Sequence, residues 1–592
     1  MNLKQYTALV CLSGILITSC VSAGDVKGQE SADLILSGAK IFTSNKQQPW
    51  VEAVAIRNGK FIYVGDSAGV SEYRSDGTQF INLNGRLVIP GLIDAHAHPG
   101  YVDVEQYGAI SEINEEKMLA AVKEYAEQHP DDEWLRLCCW PVDLYVHGSK
   151  GPNKHKLDAI VPDRPVWFVS EWWHSGWLNS KALEVLGVDD STADPKPGVA
   201  TYARDENGEL TGWVKEGAGW RHFAKHFPIN EGAHKISHEQ NMMAALQILS
   251  EAGITTLYDA GNFGFEDLVY SFMAKLEKEG KLPVRYEATY QIFTPDRAKL
   301  AISEMKRYRK EYGGERLQFN TIKLFMDGIH PNHTASLLRP YVGDSRYVAD
   351  TILSVEELRD FLLELNEEQF DLHIHTRGDL AVQRVLDAVE AANEIAKNDF
   401  YPRVTISHLG IINPADLPRI KELDVICNYT PWWFAARQSD PLKTSLGEDR
   451  YNNMYKAKSL VEMGIIVTFS SDEWWGAERL PTYLNPWFGM HVGHNRQYPK
   501  EWREDDDEEI RSPVNEQLSM EQLIAGYTRN AAYQLRMENQ VGSIETGKMA
   551  DLVVLNENIF DLDRNEIWKV KPAAVLVDGE VIQGALPGGM QN

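Results

Sequence analysis

Along most of this chain, apolar residues come in short, often β-branched runs that stop at a polar residue and are separated by stretches long enough for a helix. Runs of this length, bounded by turn residues, predict strands buried on both faces. They fall at 88–94, 166–170, 254–259, 284–290, 320–325, 371–375, 403–408, 424–428 and 465–470. Strands alternating with helical segments predict an α/β protein with a parallel sheet, and eight such units close a (β/α)8 TIM barrel. The chain holds one run more than that barrel needs. At both ends the pattern shortens. Runs at 33–38, 51–59, 60–65 and 80–85, joined by glycine turns, return in kind at 551–555 and 573–582 and predict a small β-sandwich domain built from both chain ends.

The residues at which the runs stop are the candidate chemistry. Val88 to Pro99 ends in His96 and His98, one residue apart and so on one face of a strand. Lys323 interrupts an otherwise apolar run, Asp371 to Thr376 carries His373 and His375, Arg403 to His408 ends at a histidine, and Gly464 to Asp472 ends at an aspartate. Any one of these is as readily a helix cap or a satisfied core polar group. Recurring in order at strand ends, they match the way a barrel assembles its site on the C-terminal rim, and histidines with a carboxylate are ligands for divalent metals.

These stretches, with Asn179 to Leu183, Gly253 to Thr256, Lys323 to Gly328, His375 to Asp379, Ser471-Asp472 and Gly547 to Leu552, resemble the amidohydrolase superfamily and within it the YtcJ-like branch that includes N-substituted formamide deformylases. The resemblance runs from about Asp33 to about Gly584. It implies a metal-dependent-hydrolase barrel in which His96, His98 and Asp472 hold one metal and His375 and His408 a second, with Lys323 bridging them as a carboxylated lysine. An ammonium beside two dications would be repelled, whereas a carbamate supplies two anionic oxygens. The metal is divalent, zinc by default, as one or two ions. A metal lowers the pKa of bound water from about 15.7 toward about 7, and Asp472 is then the catalytic residue that takes the water's proton and hands it to the leaving nitrogen. Three positions depart from the branch pattern. Arg377 stands where an apolar residue is usual, Ser407 replaces a glutamate before His408, and His333 takes the place of an arginine.

Placing Lys323 on the fourth barrel strand makes the run at 166–170 the surplus one and marks residues from about 100 to 240 as an insertion after barrel strand 1. This insertion carries Trp172-Trp173-His174 and, through His174, Asn179 and Ser180, a branch-like signature that nominates His174 for substrate binding. Trp432-Trp433 and Trp474-Trp475 follow two later strands. Together the tryptophans suit an apolar or aromatic substituent, with Trp474 as a substrate wall and Arg377 or Glu473 reading polar ends. The i,i+4 pairs His222/His226 and His234/His238 lack the glutamate of H-E-x-x-H and are not read as metal sites.

Composition narrows the class. The chain has 592 residues, 43 % of them hydrophobic, and a net charge of −27, which disfavours nucleic acid and anionic membrane surfaces as partners. The acidic run Glu504 to Glu509 lacks calcium-loop spacing and reads as solvated surface. Lys4 followed by the apolar stretch Tyr6 to Ile17 reads as a signal peptide, too short to span a bilayer in the mature protein. Ile17-Thr-Ser-Cys20 resembles a lipobox, which implies a lipoprotein anchored at Cys20 in an outer membrane, the alternative being cleavage after Ala23. Cys138, Cys139 and Cys427 remain, too few for a disulfide framework, and the adjacent pair reads as small buried residues.

The domains so read are 1–19 signal, 20–32 tether, 33–87 and 541–592 the two parts of the β-sandwich, and 88–540 the catalytic barrel with its insertion. The expected function is hydrolysis of a C–N bond in a small-molecule amide or N-substituted formamide. Membrane contact is expected only through a lipid anchor, and a homodimer is left open. The competing readings are a surface lipoprotein that binds a ligand without turnover, and a mononuclear deaminase or cyclic amidase.

Overall fold

The computed structural model describes residues 31–587 except 102–106, 147–150, 227–231, 344–348, 398, 436–439, 473–479 and 504–508. The signal and lipobox residues, most of the acidic run, Glu473, Trp474 and Trp475 therefore lie outside the described residues. Among the described residues no helix is long and apolar enough to cross a membrane.

The apolar runs become a wall of parallel strands taken in chain order. Leu92–Ala97 pairs with Ile254–Asp259, and that strand with Arg285–Glu287. The third strand is bent. Its first half faces Leu317–Gln318 and its second, Gln291–Ile292, faces Thr321–Phe325. Asp371–Thr376, Val404–His408, Ile426–Tyr429 and Val467–Phe469 follow, each parallel to the one before. Beyond the last strand the chain returns to the first, where the Asp472 N–H donates to the His96 carbonyl at 2.8 Å.

Helices cover the wall through one apolar stripe each. Val355–Glu368 starts at a capping box between Ser354 and Glu357 and buries Leu358, Phe361, Leu362 and Leu365, the i, i+3, i+4, i+7 spacing of one helical face. Asp379–Ala396 does the same with Val382, Val385, Leu386 and Val389.

Val166–Ser170 lies outside the wall, in a six-stranded sheet formed by residues 108–215. In that sheet the adjacent cysteines differ from the expectation of two separate buried thiols, because Cys138 and Cys139 are joined as a disulfide. Successive strand residues normally point to opposite faces. Here the register shifts between Leu137 and Trp140, and Cys139 adopts a left-handed backbone with φ 88°, so the alternation is broken at this pair. Cys427 is a buried free thiol.

Both chain ends contribute to one sheet, in the order Glu580–Gly584, Pro572–Val577, Leu552–Leu555, Leu87–Pro90, Lys40–Phe42, Trp50–Val51. A second sheet of Lys60–Gly65, Ala53–Arg57, Leu34–Ser37 and Gln79–Asn82 shares with it a core that includes Leu36, Val54, Val88, Val554 and Leu576. Leu87–Pro90 runs almost directly into the first wall strand, so this end region is continuous with the segment that carries His96.

Candidate metal centre

His96 and His98 leave the end of the first wall strand on one face, with ring centroids 5.3 Å apart. Asp472 follows the eighth strand in a left-handed conformation, φ 52°, fixed by its N–H bond to the His96 carbonyl. Its Oδ1 lies 3.0 Å from His96 Nε2 and 3.5 Å from His98 Nε2, and its Oδ2 lies 3.6 Å from His408 Nδ1. His96, His98 and Asp472 form a group with the spacing of a metal site.

Lys323, on the fourth strand, brings Nζ to 3.2 Å from His96 Nε2. The His375 and His408 rings lie 4.5 Å apart, and the His408 and His96 rings 4.9 Å apart. All six residues singled out as ligands are thus gathered, although they come from strands spread between residues 92 and 472.

Electrostatics follow from burial. His96 is pushed down to about 3 by burial and by Lys323, with Asp472 pulling the other way. Burial likewise holds His375 and His408 well below the ordinary histidine value. Neutral imidazoles are the form that ligates a metal. Burial pushes Lys323 down to about 7. Burial alone would raise the Asp472 carboxyl, yet His408 and His96 beside it keep it well below the usual carboxylate range.

Outer contacts orient these groups. His98 Nδ1 faces the Gly261 carbonyl at 2.9 Å, leaving Nε2 for the cluster. His96 Nδ1 meets His373 Nε2 at 2.9 Å. His408 Nδ1 is buried with no hydrogen-bond partner, which fits a nitrogen whose lone pair awaits a cation. Ser407, where a glutamate was expected from the branch, donates to the Ile374 carbonyl of the neighbouring strand at 3.0 Å. His333 stacks on Tyr341 with centroids 4.0 Å apart.

The cluster opens into a cavity of about 430 Å³ whose walls include Trp172, Trp173, Trp220, Trp432 and Trp433. His174 reaches this cavity from the insertion, its ring 5.8 Å from that of His375. Its Nδ1 is held by Glu216, a buried carboxylate that also accepts from Asn332 Nδ2 at 3.1 Å and from Thr334 Oγ1. Arg377 lines the cavity as well, stacked on Trp433. Trp474, the third substrate-binding candidate, lies outside the described residues. His222 meets Tyr202 Oη at 2.9 Å, and its ring lies 6.1 Å from that of His226.

Sequence reasoning missed Glu216, the support role of His373, and Asp327. Asp327 accepts the backbone N–H groups of Arg377, Gly378 and Ser336, each at 2.9 Å, and burial pushes it up to about 7. It sits in the quoted Met326-Asp327-Gly328 stretch, so its position was visible and only its role was not. Glu216 has no motif around it to find.

Residues 79–583 match the profile of the Amidohydrolase family. The chain belongs to that family. It is 26 % identical over 553 residues to the putative amidohydrolase YtcJ of Bacillus subtilis (strain 168), covering 93 % of this chain and 99 % of that protein. It is 23 % identical over 565 residues to the N-substituted formamide deformylase of Arthrobacter pascens, covering 92 % and 97 %. A solved structure of an uncharacterised metal-dependent hydrolase from Pyrococcus horikoshii OT3 covers 90 % of this amidohydrolase with a TM-score of 0.62 at 21 % identity, a likeness of fold.

Proposed function

We propose that this amidohydrolase hydrolyses the C–N bond of a non-peptide amide or N-substituted formamide, using a divalent metal held at the rim of a (β/α)8 barrel. The observation that carries the reading is the convergence of His96, His98, Lys323, His375, His408 and Asp472 in one buried cluster under an apolar cavity. The donor set fits a cation: the His96, His375 and His408 imidazoles, kept neutral by burial, and one ionised carboxylate, with His408 Nδ1 making no hydrogen bond. His96, His98 and Asp472 would hold one ion, with His375, His408 and Lys323 serving a second. A divalent cation bound there would lower the pKa of water to about 7 and would polarise the substrate carbonyl.

The remaining steps belong to the chain. Asp472, kept ionised by its histidine neighbours, accepts the proton of the attacking water and delivers it to the leaving nitrogen, so the products are an acid and an amine. His174, its Nδ1 on Glu216, presents its other nitrogen to the substrate carbonyl region. The tryptophan walls keep water from the acyl group and bind the apolar part of the substrate. Lys323 at about 7 offers a neutral amine that would react with carbon dioxide to give a carbamate and one proton, turning a repelled cation into an anionic oxygen donor.

Purified protein assayed on N-substituted formamides and N-acyl amines is expected to lose activity with a chelator and regain it with added zinc. Asp472→Asn is expected to lower kcat by about 10²–10⁴-fold, with metal content measured in parallel to separate loss of the base from loss of the ion. Activity indifferent to chelator would overturn the reading.

We also propose export and lipid attachment at Cys20, with a small-molecule amide as the partner. Mass spectrometry of the N-terminal peptide tests this, since Cys20→Ala must abolish any lipid adduct.

A further inference from the structure

Arg377 carries an unmet hydrogen-bonding demand in the wall of the cavity. Its residue is only 7 % exposed, and its Nε and Nη1 have no hydrogen-bond partner. Nη2 reaches Tyr455 Oη at 3.4 Å, a long contact that leaves a second proton on that nitrogen. The guanidinium lies 4.6 Å from the Trp433 ring centroid, and the ring of the candidate ligand His408 lies 5.3 Å from the same indole. Trp433 thus neighbours both Arg377 and the candidate ligand cluster.

Among the described residues no carboxylate lies at ion-pair distance from this guanidinium. Asp327 feels its charge but gives its oxygens to backbone N–H groups, including that of Arg377 itself. Asp440 accepts from Tyr451 Oη at 2.9 Å and lies 3.9 Å from Arg511 Nη1. Arg511, the other guanidinium on the cavity, already donates to the Ala435 carbonyl at 2.9 Å. A guanidinium cannot shed its proton, and a buried charge with unpaired donors is destabilising unless something pairs with it. Stacking on an indole offsets only part of that.

We propose that Arg377 receives a carboxylate of the substrate, and that the preferred substrates are amides with an apolar or aromatic body and an anionic group on one half of the scissile C–N bond. This deepens the amide-hydrolase reading and rests on it. The free Nη1 and the second Nη2 proton form the planar fork that binds a carboxylate through two parallel bonds. The tryptophans take the body of the molecule while the cluster takes its amide. A neutral isostere leaves the fork dry and is rejected for that reason.

The test uses two acids and their methyl esters: N-acetylphenylalanine, with its carboxylate on the amine half, and succinanilic acid, with its carboxylate on the acyl half. The first readout is kcat/KM of acid over ester for wild type, Arg377→Leu and Arg377→Lys. The second is binding of the same four compounds to chelator-treated protein by tryptophan fluorescence, which removes any carboxylate affinity of the metal. At least one acid is expected to exceed its ester by about 30-fold or more in both readouts. The leucine variant should bring that ratio close to unity and the lysine variant should hold it between. Which acid wins tells which half of the substrate carries the charge. Discrimination in binding without turnover would sink the hydrolase reading and leave the Arg377 assignment standing. If neither acid outbinds its ester, or Arg377→Leu leaves the ratio where it was, the assignment is wrong. The wild-type comparison needs no variant, so a failure of either variant to fold does not spare it.

Discussion

His96 has Asp472 and Lys323 at its Nε2 and His373 at its Nδ1. Burial, Lys323 and His96 hold His373 well below the ordinary histidine value, so it is a neutral ring that fixes the rotation of His96. Gln534 holds it in turn, with Nε2 at 3.4 Å from His373 Nδ1 and 2.9 Å from the Ala95 carbonyl. His373→Phe keeps the shape of the site and removes this hold, and is expected to weaken zinc binding about 10–100-fold. A competition titration of chelator-treated protein reads that constant, and an unchanged value would mean that His96 needs no support. The same residues show how far sequence reading reaches at this scale. His96-x-His98 supplies two ligand candidates and His373-x-His375 supplies a support and a ligand candidate, with identical spacing and similar flanks. Spacing says which face a side chain takes. Depth along the strand, which decides between ligand and support, depends on where neighbouring strands start.

At the scale of elements, the wall strands were legible because they are buried runs marked by a ligand-type residue, Lys323 within Thr321–Phe325 and His408 at the end of Val404–His408. Two local departures were not. The run 284–290 reads as one strand but bends after Glu287, where Thr289 Oγ1 donates to the Thr321 carbonyl at 2.7 Å. The shift at Cys138-Cys139 is likewise a contest between ladder bonds and side-chain placement that no residue pattern announces. The bend has a measurable consequence. Glu287 is fully buried there, accepting the Thr321 N–H at 3.1 Å and Asn320 Nδ2 at 3.0 Å. Burial pushes its carboxyl up from 4.5 to about 7. A carboxyl with a raised folded-state value keeps a proton that the unfolded chain releases. Its contribution is therefore full below about 4.5 and is lost as pH rises through about 7. The shift corresponds to about 3 kcal/mol. Urea midpoints are expected to fall between pH 5 and 8 in wild type and to fall less in Glu287→Gln, which stays neutral throughout. Parallel slopes would show that Glu287 does not titrate in this window.

For the whole molecule, the question is what locks the two chain ends to the wall. The end strands were legible from glycine turns and short apolar runs, but their anchor was not, since it joins residues nearly 300 positions apart. Arg285, on the third wall strand, pairs with Asp551 at 3.2 Å and with Asp578, while Arg316 reaches Asp578 at 2.6 Å. Asp551 is buried, and burial raises its carboxyl even with Arg285 beside it. Its backbone carbonyl accepts the Gly91 N–H at 2.9 Å, one residue before the strand that carries His96. Removing the cation alone therefore leaves an uncompensated charge at the junction between the end sheets and the strand wall. Arg285→Met is expected to lower unfolding free energy by about 3–5 kcal/mol. The double variant Arg285→Met with Asp551→Leu removes charge and counter-charge together and should recover a good part of that loss. Denaturant unfolding of the four proteins of this cycle measures the coupling directly. Additive losses would show that the ends are held by their apolar core alone, in which case the ion pairs only decorate a junction that Val88, Val554 and Leu576 already close.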